Sequence, residues 1–136
     1  MTGKAGTYAL AENYLRLKPD ASVDVLSVDE TFRPGLMRGQ LGNCNYEFLV
    51  SRFDFTVDWP TWEVHPNGDE IFFLLSGAAQ LHLENPDGEA SSLMINQRGD
   101  YVFLPRGNWH TAKISQPTSM LFITAGEGTE TGHCKP

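Results

Sequence analysis

The stretch WEVHPNGDE (residues 62–70) leads directly into IFFLL (residues 71–75), so three acids and a histidine precede a run of side chains suited to burial. Glu63 and His65 are two positions apart. On a β-strand they share one face, with α-carbons about 6.6 Å apart. The intervening PNGD is a turn sequence, after which Glu70 is expected to begin a strand that returns alongside His65. This geometry predicts that three ligand-type side chains converge.

A fourth ligand would come from a distant strand, and His110 is the candidate. It follows the turn sequence PRGN (residues 105–108) and shares a strand face with Ala112 and Ile114, so its ring is expected to point into an apolar interior. The predicted metal site therefore consists of Glu63, His65, Glu70 and His110. The competing hypothesis is a metal-free barrel in which a buried carboxylate pairs with a basic side chain such as Arg52.

Short β-rich runs separated by turn residues follow one another from Tyr46 onward, which is typical of an all-β sandwich or barrel. The predicted strands are residues 46–55, 61–65, 70–76, 79–84, 92–96, 101–104, 110–115 and 120–124. The sequence NPDG (residues 85–88) predicts a turn between two antiparallel strands. In the run 70–76 both alternating sets of side chains are largely apolar. One face can line a barrel, and the other needs a second sheet or another subunit to cover it, so we predict a homodimer.

The chain of 136 residues is interpreted as one domain with three parts. These are an N-terminal arm with a short helix packing on the barrel (residues 1–45), the barrel (residues 46–126) and a C-terminal tail (residues 127–136). Residues 10, 14 and 17 fit a helical stripe, whereas residues 14–17 also alternate like a strand. A short helix is predicted over residues 29–33, capped by Asp29 and ended by PG at residues 34–35.

Composition excludes several classes of partner and activity. The net charge is −7 with no lysine or arginine cluster, which argues against nucleic acid and an anionic membrane as partners. No apolar run approaches the ~20 residues of a membrane span, and two cysteines do not make a disulfide framework. We therefore expect a cytoplasmic protein, with pairing of Cys44 and Cys134 left open. The chain has no phosphate loop, nucleophile elbow or Cys-x-x-Cys pair, so in an enzyme a metal would supply the reactive centre.

The segments at residues 62–77 and 99–114 resemble the paired motifs of the cupin superfamily. Together they span roughly residues 62–114. In the second motif, Gly99, Pro105, Gly107 and His110 are in register, while Ile114 stands where the family has asparagine. The resemblance implies a single-domain cupin-type jelly-roll β-barrel. The form Trp-Glu-x-His-Pro-x-Gly-Asp-Glu is similar to that of a group of small bacterial cupins.

In the first motif, Glu70 and Gly77 stand at the family's glutamate and glycine, which places His65 at its second histidine. Glu63 then occupies the position of the first histidine. The resemblance implies that His65, Glu70 and His110 bind a divalent metal with Glu63 as the fourth ligand. Two imidazoles and two carboxylates favour iron or manganese as the bound ion, and nickel and zinc are also compatible with this ligand set. Glu63 is further hypothesised to detach from the metal and act as a catalytic base.

Three functional hypotheses follow. The first is a mononuclear metalloenzyme, an oxygenase or an isomerase/lyase, that acts on a small organic molecule. The second is a non-catalytic module that binds or senses a small molecule, and the third is a metal-free degenerate barrel used for dimerisation. For the first two, the predicted polar groups of the ligand pocket are Tyr46, Arg52, Tyr101 and Arg106.

Overall fold

The computed structural model describes residues 4–29, 46–125 and 130–132, and within these ranges the chain is all-β. None of the described residues forms a helix that is long and apolar enough to cross a membrane. The strands are β1 Asn13–Leu17, β2 Val23–Ser27, β3 Phe48–Phe55, β4 Trp62–Val64, β5 Glu70–Ser76, β6 Ala79–Glu84, β7 Ala90–Ile95, β8 Tyr101–Leu104, β9 Trp109–Ile114, β10 Thr118–Ala125 and β11 Glu130–Gly132. The predicted all-β class is confirmed.

The strands form two antiparallel sheets, as expected for a jelly roll. The six-stranded sheet has the order β2-β1-β3-β10-β5-β8, and the five-stranded sheet has the order β11-β4-β9-β6-β7. Alternate side chains of both sheets fill one shared core, so the two inner faces pack against each other. The buried members of this core are Phe72, Leu74, Ala79, Leu81, Leu83, Ile95, Val102, Leu104, Ala112, Ile114, Met120 and Phe122.

Period-two alternation located the strands of the barrel well. The observed bounds of β5, β6 and β8 coincide with the predicted ranges, and the other predicted strands are displaced by one to two residues at their ends. The turn at residues 85–88 joins β6 to β7 as predicted. Gly88 has a φ of 84° there, and its N–H donates to the carbonyl of Asn85 at 2.9 Å.

Within the predicted N-terminal arm, the described strands β1 and β2 belong to the six-stranded sheet. The strand pattern of residues 14–17 is the one adopted, since β1 pairs with β2 on one side and with β3 on the other. The helix predicted over residues 29–33 lies outside the described residues except for Asp29. In the predicted tail, β11 pairs with β4 and so extends the five-stranded sheet.

The connection from β4 to β5 differs from the predicted hairpin. β4 pairs with β9 and β11, whereas β5 pairs with β10 and β8 of the other sheet. The turn at residues 66–69 therefore carries the chain from one sheet to the other. The predicted turn is present, but it leads the chain across the core to the other sheet and does not return it beside β4.

Gly68 in this turn packs so closely on β10 that a side chain there has no space. A Cβ added at Gly68 would overlap the Cβ of Ala125. We expect Gly68→Ala to lower the free energy of unfolding by about 1–3 kcal/mol, the usual range for overpacking. Urea denaturation would measure this change. Adding Ala125→Gly should recover most of the loss, and a Gly68→Ala variant as stable as the wild type would contradict the packing described.

Candidate metal centre

Four polar side chains meet between the inner faces of the two sheets. Glu63 lies on β4 and His110 on β9, directly opposite each other in register, and His65 follows β4. Glu70 begins β5 and so reaches the cluster from the opposite sheet. The structure brings the ligand-type atoms of Glu63, His65 and His110 together, and Glu70 contacts both histidines from the opposite sheet.

The cluster is compact and buried. One ligand-type atom from each of Glu63, His65 and His110 lies within 4.8 Å of the other two. Glu70 Oε1 lies 3.0 Å from His110 Nε2 and 3.3 Å from His65 Nε2. His65, Glu70 and His110 are each no more than 4% exposed, and Glu63 is half-buried. A buried Glu/His/His cluster of this kind could bind a metal ion.

The two carboxylate oxygens of Glu70 differ in their hydrogen bonding. Oε2 accepts a hydrogen bond of 2.7 Å from Thr124 Oγ1, which fixes the orientation of the group. No described residue makes a well-aligned hydrogen bond to Oε1, despite the two nearby imidazole nitrogens. A buried carboxylate oxygen is seldom left in this state. The close approach of oxygen and nitrogen without hydrogen-bond alignment fits atoms that share a cation, so these residues fit a divalent metal.

The backbone sets the orientation of His110. Its Nδ1 lies 3.1 Å from the carbonyl oxygen of Asn108, and an N–H at Nδ1 donates to that oxygen. In the neutral ring this hydrogen bond assigns the proton to Nδ1 and leaves the lone pair of Nε2 directed at the cluster. Trp59 and Phe72 pack near the ring, with centroids 6.2 and 6.4 Å from it, and help to exclude water.

The charges of Glu70 and His110 are strongly coupled. Burial raises the pKa of Glu70, but the adjacent His110 and His65 outweigh burial and lower the pKa from 4.5 to about 2. Burial also lowers the pKa of His110, whereas Glu70 raises it, with help from the Asn108 carbonyl and from Glu63, so the net pKa is raised. In the metal-free protein an ionised Glu70 thus favours a protonated His110. A metal ion must displace that proton.

The four predicted pocket residues lie apart from this cluster or at its edge. Tyr46 is 86% exposed ahead of β3, and Tyr101 is 61% exposed on the outer side of β8. Arg52 contacts Asp54 at 3.4 Å and not the buried carboxylates. Arg106 lies in the loop between β8 and β9, where its Nε is 3.3 Å from Asp69 Oδ1. Of these four residues, Arg106 alone lies in a loop that adjoins the cluster.

Thr124 contacts the cluster, and sequence reasoning missed it. It lies opposite Glu70 in the pairing of β10 with β5. Thr124 is the one polar residue in the apolar sequence LFITA (residues 121–125). That contrast is the local sequence signal by which it could have been identified. Because its hydrogen bond turns Oε1 toward the histidines, Thr124 is a positioning residue for the cluster.

Removing this hydroxyl should weaken metal binding without removing a ligand. We expect Thr124→Val to reduce the affinity for manganese(II) by about 10-fold, the low end of the effect of such outer hydrogen bonds. Thr124→Ser retains the hydroxyl and should stay within about threefold of the wild type. Isothermal titration calorimetry on metal-stripped protein gives both values. Equal affinities for the valine variant and the wild type would exclude this positioning role.

Comparison with known proteins identifies structural relatives. No protein-family model matches the chain, and no curated protein matches it in sequence. Hydroquinone 1,2-dioxygenase from Sphingomonas sp. TTNP3, solved with 4-hydroxybenzoate bound, matches with a TM-score of 0.50 and 19% identity. An oxalate oxidase matches with a TM-score of 0.51 and 19% identity. Bacillus subtilis oxalate decarboxylase, which has Mn(II) centres, matches with a TM-score of 0.52 and 20% identity.

Each match covers about three fifths of this chain: 59% for the dioxygenase, 60% for the oxidase and 62% for the decarboxylase. The matched regions make up 60%, 44% and 23% of those three proteins. The chain thus spans less than two thirds of the length of each relative. At this level of identity, the likeness concerns the fold.

Proposed function

The chain has the cupin fold, and we propose that it is a mononuclear metal-dependent enzyme acting on a small organic molecule. The observation that carries this proposal is the geometry at Glu70. Its Oε1 lies within 3.3 Å of two imidazole nitrogens but makes no well-aligned hydrogen bond to a described residue. A cation coordinated by the same atoms would satisfy this buried oxygen.

The proposed ligands are Glu63, His65, Glu70 and His110. Two carboxylates and two imidazoles form a harder set than three imidazoles and one carboxylate, which favours iron(II) or manganese(II) over copper(I). Nickel and zinc are the next candidates. The Mn(II) centres of the B. subtilis oxalate decarboxylase support manganese as a reasonable first choice.

A bound ion of this kind activates dioxygen or polarises a carbonyl group. The remaining roles belong to the chain. The carboxylates of Glu63 and Glu70 would balance the charge of a divalent ion, and the neutral imidazoles of His65 and His110 would complete its ligand set. The aromatic rings of Trp59 and Phe72 keep water from His110. Glu63 is the least buried of the four proposed ligands, so it is the one best able to detach and accept a proton from substrate. The proposed reaction class is oxygenase or isomerase/lyase.

Metal-loaded protein assayed against small molecules tests this function. The metal-stripped chain is loaded separately with iron(II), manganese(II), nickel(II) or zinc(II). It is then assayed for oxygen consumption with diketones, thiols and aromatics, and for isomerase and lyase products by NMR. We expect turnover with one ion and a changed pH–rate profile in a Glu63→Gln variant that still binds its metal. Full metal occupancy without any turnover would favour a binding or sensing role.

A metal-free barrel is the second candidate, and the same cluster supplies its support. Glu70 lies close to both imidazoles and raises the pKa of His110, so a protonated His110 would balance the buried carboxylate. This arrangement replaces the predicted ion pair with Arg52, which instead contacts Asp54. A wild-type chain that takes up none of the four ions would favour this candidate.

A further inference from the structure

The indole of Trp59 carries a buried polar atom that the metal centre does not use. The side chain as a whole is half-buried, but its Nε1 is closed off from solvent and donates no hydrogen bond to any described residue. Buried donors are nearly always paired in folded proteins, and each exception calls for an explanation. An N–H left without an acceptor destabilises the fold, so its retention here points to a role outside packing.

Trp59 lies directly beside the metal centre. Its ring centroid is 6.2 Å from that of His110, with the two planes at 67°. Phe72 packs on the indole at 6.4 Å, and Phe55 and Phe122 pack on it at 5.3 and 6.0 Å. The indole is thus surrounded by aromatic side chains, and a phenylalanine ring offers no strong hydrogen-bond acceptor.

The backbone holds Trp59 in this place. Its N–H donates to the carbonyl oxygen of Ala112 at 3.0 Å, and Oδ1 of the preceding Asp58 accepts a hydrogen bond of 2.7 Å from the N–H of Ile114. These contacts fasten the segment to β9, the strand that carries His110. A ring anchored by its backbone and enclosed by its neighbours cannot turn far toward another acceptor in the protein. The acceptor must therefore be a molecule that binds there.

A metal ion does not supply the missing partner. An indole N–H is a donor only and offers no lone pair to a cation, so an ion that satisfies Glu70 leaves Nε1 of Trp59 as it is. We propose that Trp59 is a substrate-binding residue, whose Nε1–H donates to an oxygen atom of the molecule bound at the metal centre. This inference rests on the proposed function and adds to it a class of substrate.

The charges around the centre favour a neutral oxygen acceptor. A divalent ion held by the carboxylates of Glu63 and Glu70 and by neutral imidazoles carries no net charge. In the loop that adjoins the cluster, Arg106 is already paired with Asp69, with Nε and Oδ1 3.3 Å apart. A buried substrate carboxylate without a cation of its own would be costly. The site therefore suits a neutral carbonyl compound, a ketone, aldehyde or amide, and the aromatic surroundings suit one with an apolar or aromatic body.

NMR of the indole N–H groups in isotope-labelled, zinc-loaded protein tests the proposal. The chain has three tryptophans and so three such resonances, and contacts of the indole proton with Phe55 identify that of Trp59 in the wild type. Acetophenone is the probe, because it joins a neutral carbonyl to a phenyl ring. Benzoate has nearly the same shape and carries a negative charge. We expect acetophenone to move the Trp59 resonance downfield in zinc-loaded but not in metal-free protein, and benzoate to leave it in place.

Trp59→Phe retains an aromatic ring and removes the N–H. This variant should keep the zinc content of the wild type and bind acetophenone about fivefold more weakly, the usual effect of one neutral hydrogen bond. Trp109→Phe is the matched control. Trp109 precedes His110 on β9, so its side chain points away from the cluster, and its replacement should leave the affinity for acetophenone unchanged. Thermal unfolding confirms that both variants are folded before affinities are compared.

The outcomes separate this inference from the proposed function. Zinc-loaded protein in which acetophenone does not move the Trp59 resonance overturns the inference alone, as does an equal affinity of Trp59→Phe and the wild type. Benzoate that binds as tightly as acetophenone overturns the assignment to neutral carbonyl compounds. A chain that takes up no zinc, iron, manganese or nickel overturns both proposals. The wild-type titration needs no variant, so it gives a decision even where Trp59→Phe fails to fold.

Discussion

His110→Ala is expected to reduce the bound metal from about one ion per chain to less than about one tenth, with at least a 100-fold loss of affinity. His110 is the most buried member of the cluster at 1% exposure, and its Nε2 lies 3.0 Å from Glu70 Oε1. Water cannot readily replace the lost imidazole in such a closed position. His65→Ala should have a similar effect, since His65 Nε2 is 3.3 Å from the same oxygen. Metal analysis of protein purified without chelators measures both changes.

His82→Ala is the matched control for nonspecific binding by histidine. His82 lies on β6, where its neighbours Leu81 and Leu83 point into the core, so its own side chain points away from the cluster. We expect this variant to retain the metal content of the wild type. If His82→Ala and His110→Ala lose metal to the same extent, or neither loses any, the assigned ligands are wrong.

The metal-free protein should lose stability in acid because of Glu70. Folding lowers the pKa of this carboxyl from 4.5 to about 2, so its ionised form stabilises the fold above about pH 4.5. That stabilisation is lost as the pH falls from 4.5 toward 2, by an amount on the order of 3 kcal/mol. The free energy of unfolding, measured in urea at a series of pH values, should therefore fall more steeply over this range in the wild type than in Glu70→Gln.

The pKa of His110 is raised by folding, and this shift determines how the stability changes as the pH rises. Folding raises the pKa of His110, so its protonation stabilises the metal-free fold at pH below about 6.5 and is lost as the pH rises through the folded pKa. Because Glu70 is the main cause that raises this pKa, Glu70→Gln should flatten this slope as well. Glu89→Gln, at an exposed position beside the β6–β7 turn, should retain both slopes. Identical profiles for Glu70→Gln and the wild type would contradict the proposed charge coupling.

The site could be predicted to the extent that it depends on local periodicity. His110 alternates with Thr111 on one short strand, and the apolar Ala112 and Ile114 identify its inward face. The pair Glu63 and His65 follows from the same rule. Such patterns do not depend on which strands are neighbours. The inward orientation predicted for these residues therefore holds, although the β4–β5 connection was predicted wrongly.

Features that depend on long-range pairing could not be read in the same way. Thr124 reaches Glu70 because β10 pairs with β5, across more than fifty positions of sequence. The residues of β1 fit two periodicities, and their pairing with β3 decides between them. The turn at residues 66–69 signals a reversal, but turn chemistry does not specify which sheet receives the next strand.

The central claim is that one metal ion lies among Glu63, His65, Glu70 and His110. Anomalous X-ray diffraction at the absorption edge of manganese, from crystals of manganese-loaded protein, tests it most directly. We expect one strong peak per chain, about 2.0–2.3 Å from the ligand atoms of the four side chains, with Glu70 still hydrogen-bonded to Thr124. Absence of a peak there, with well-aligned hydrogen bonds from both imidazoles to Glu70, would contradict the claim and establish a metal-free barrel.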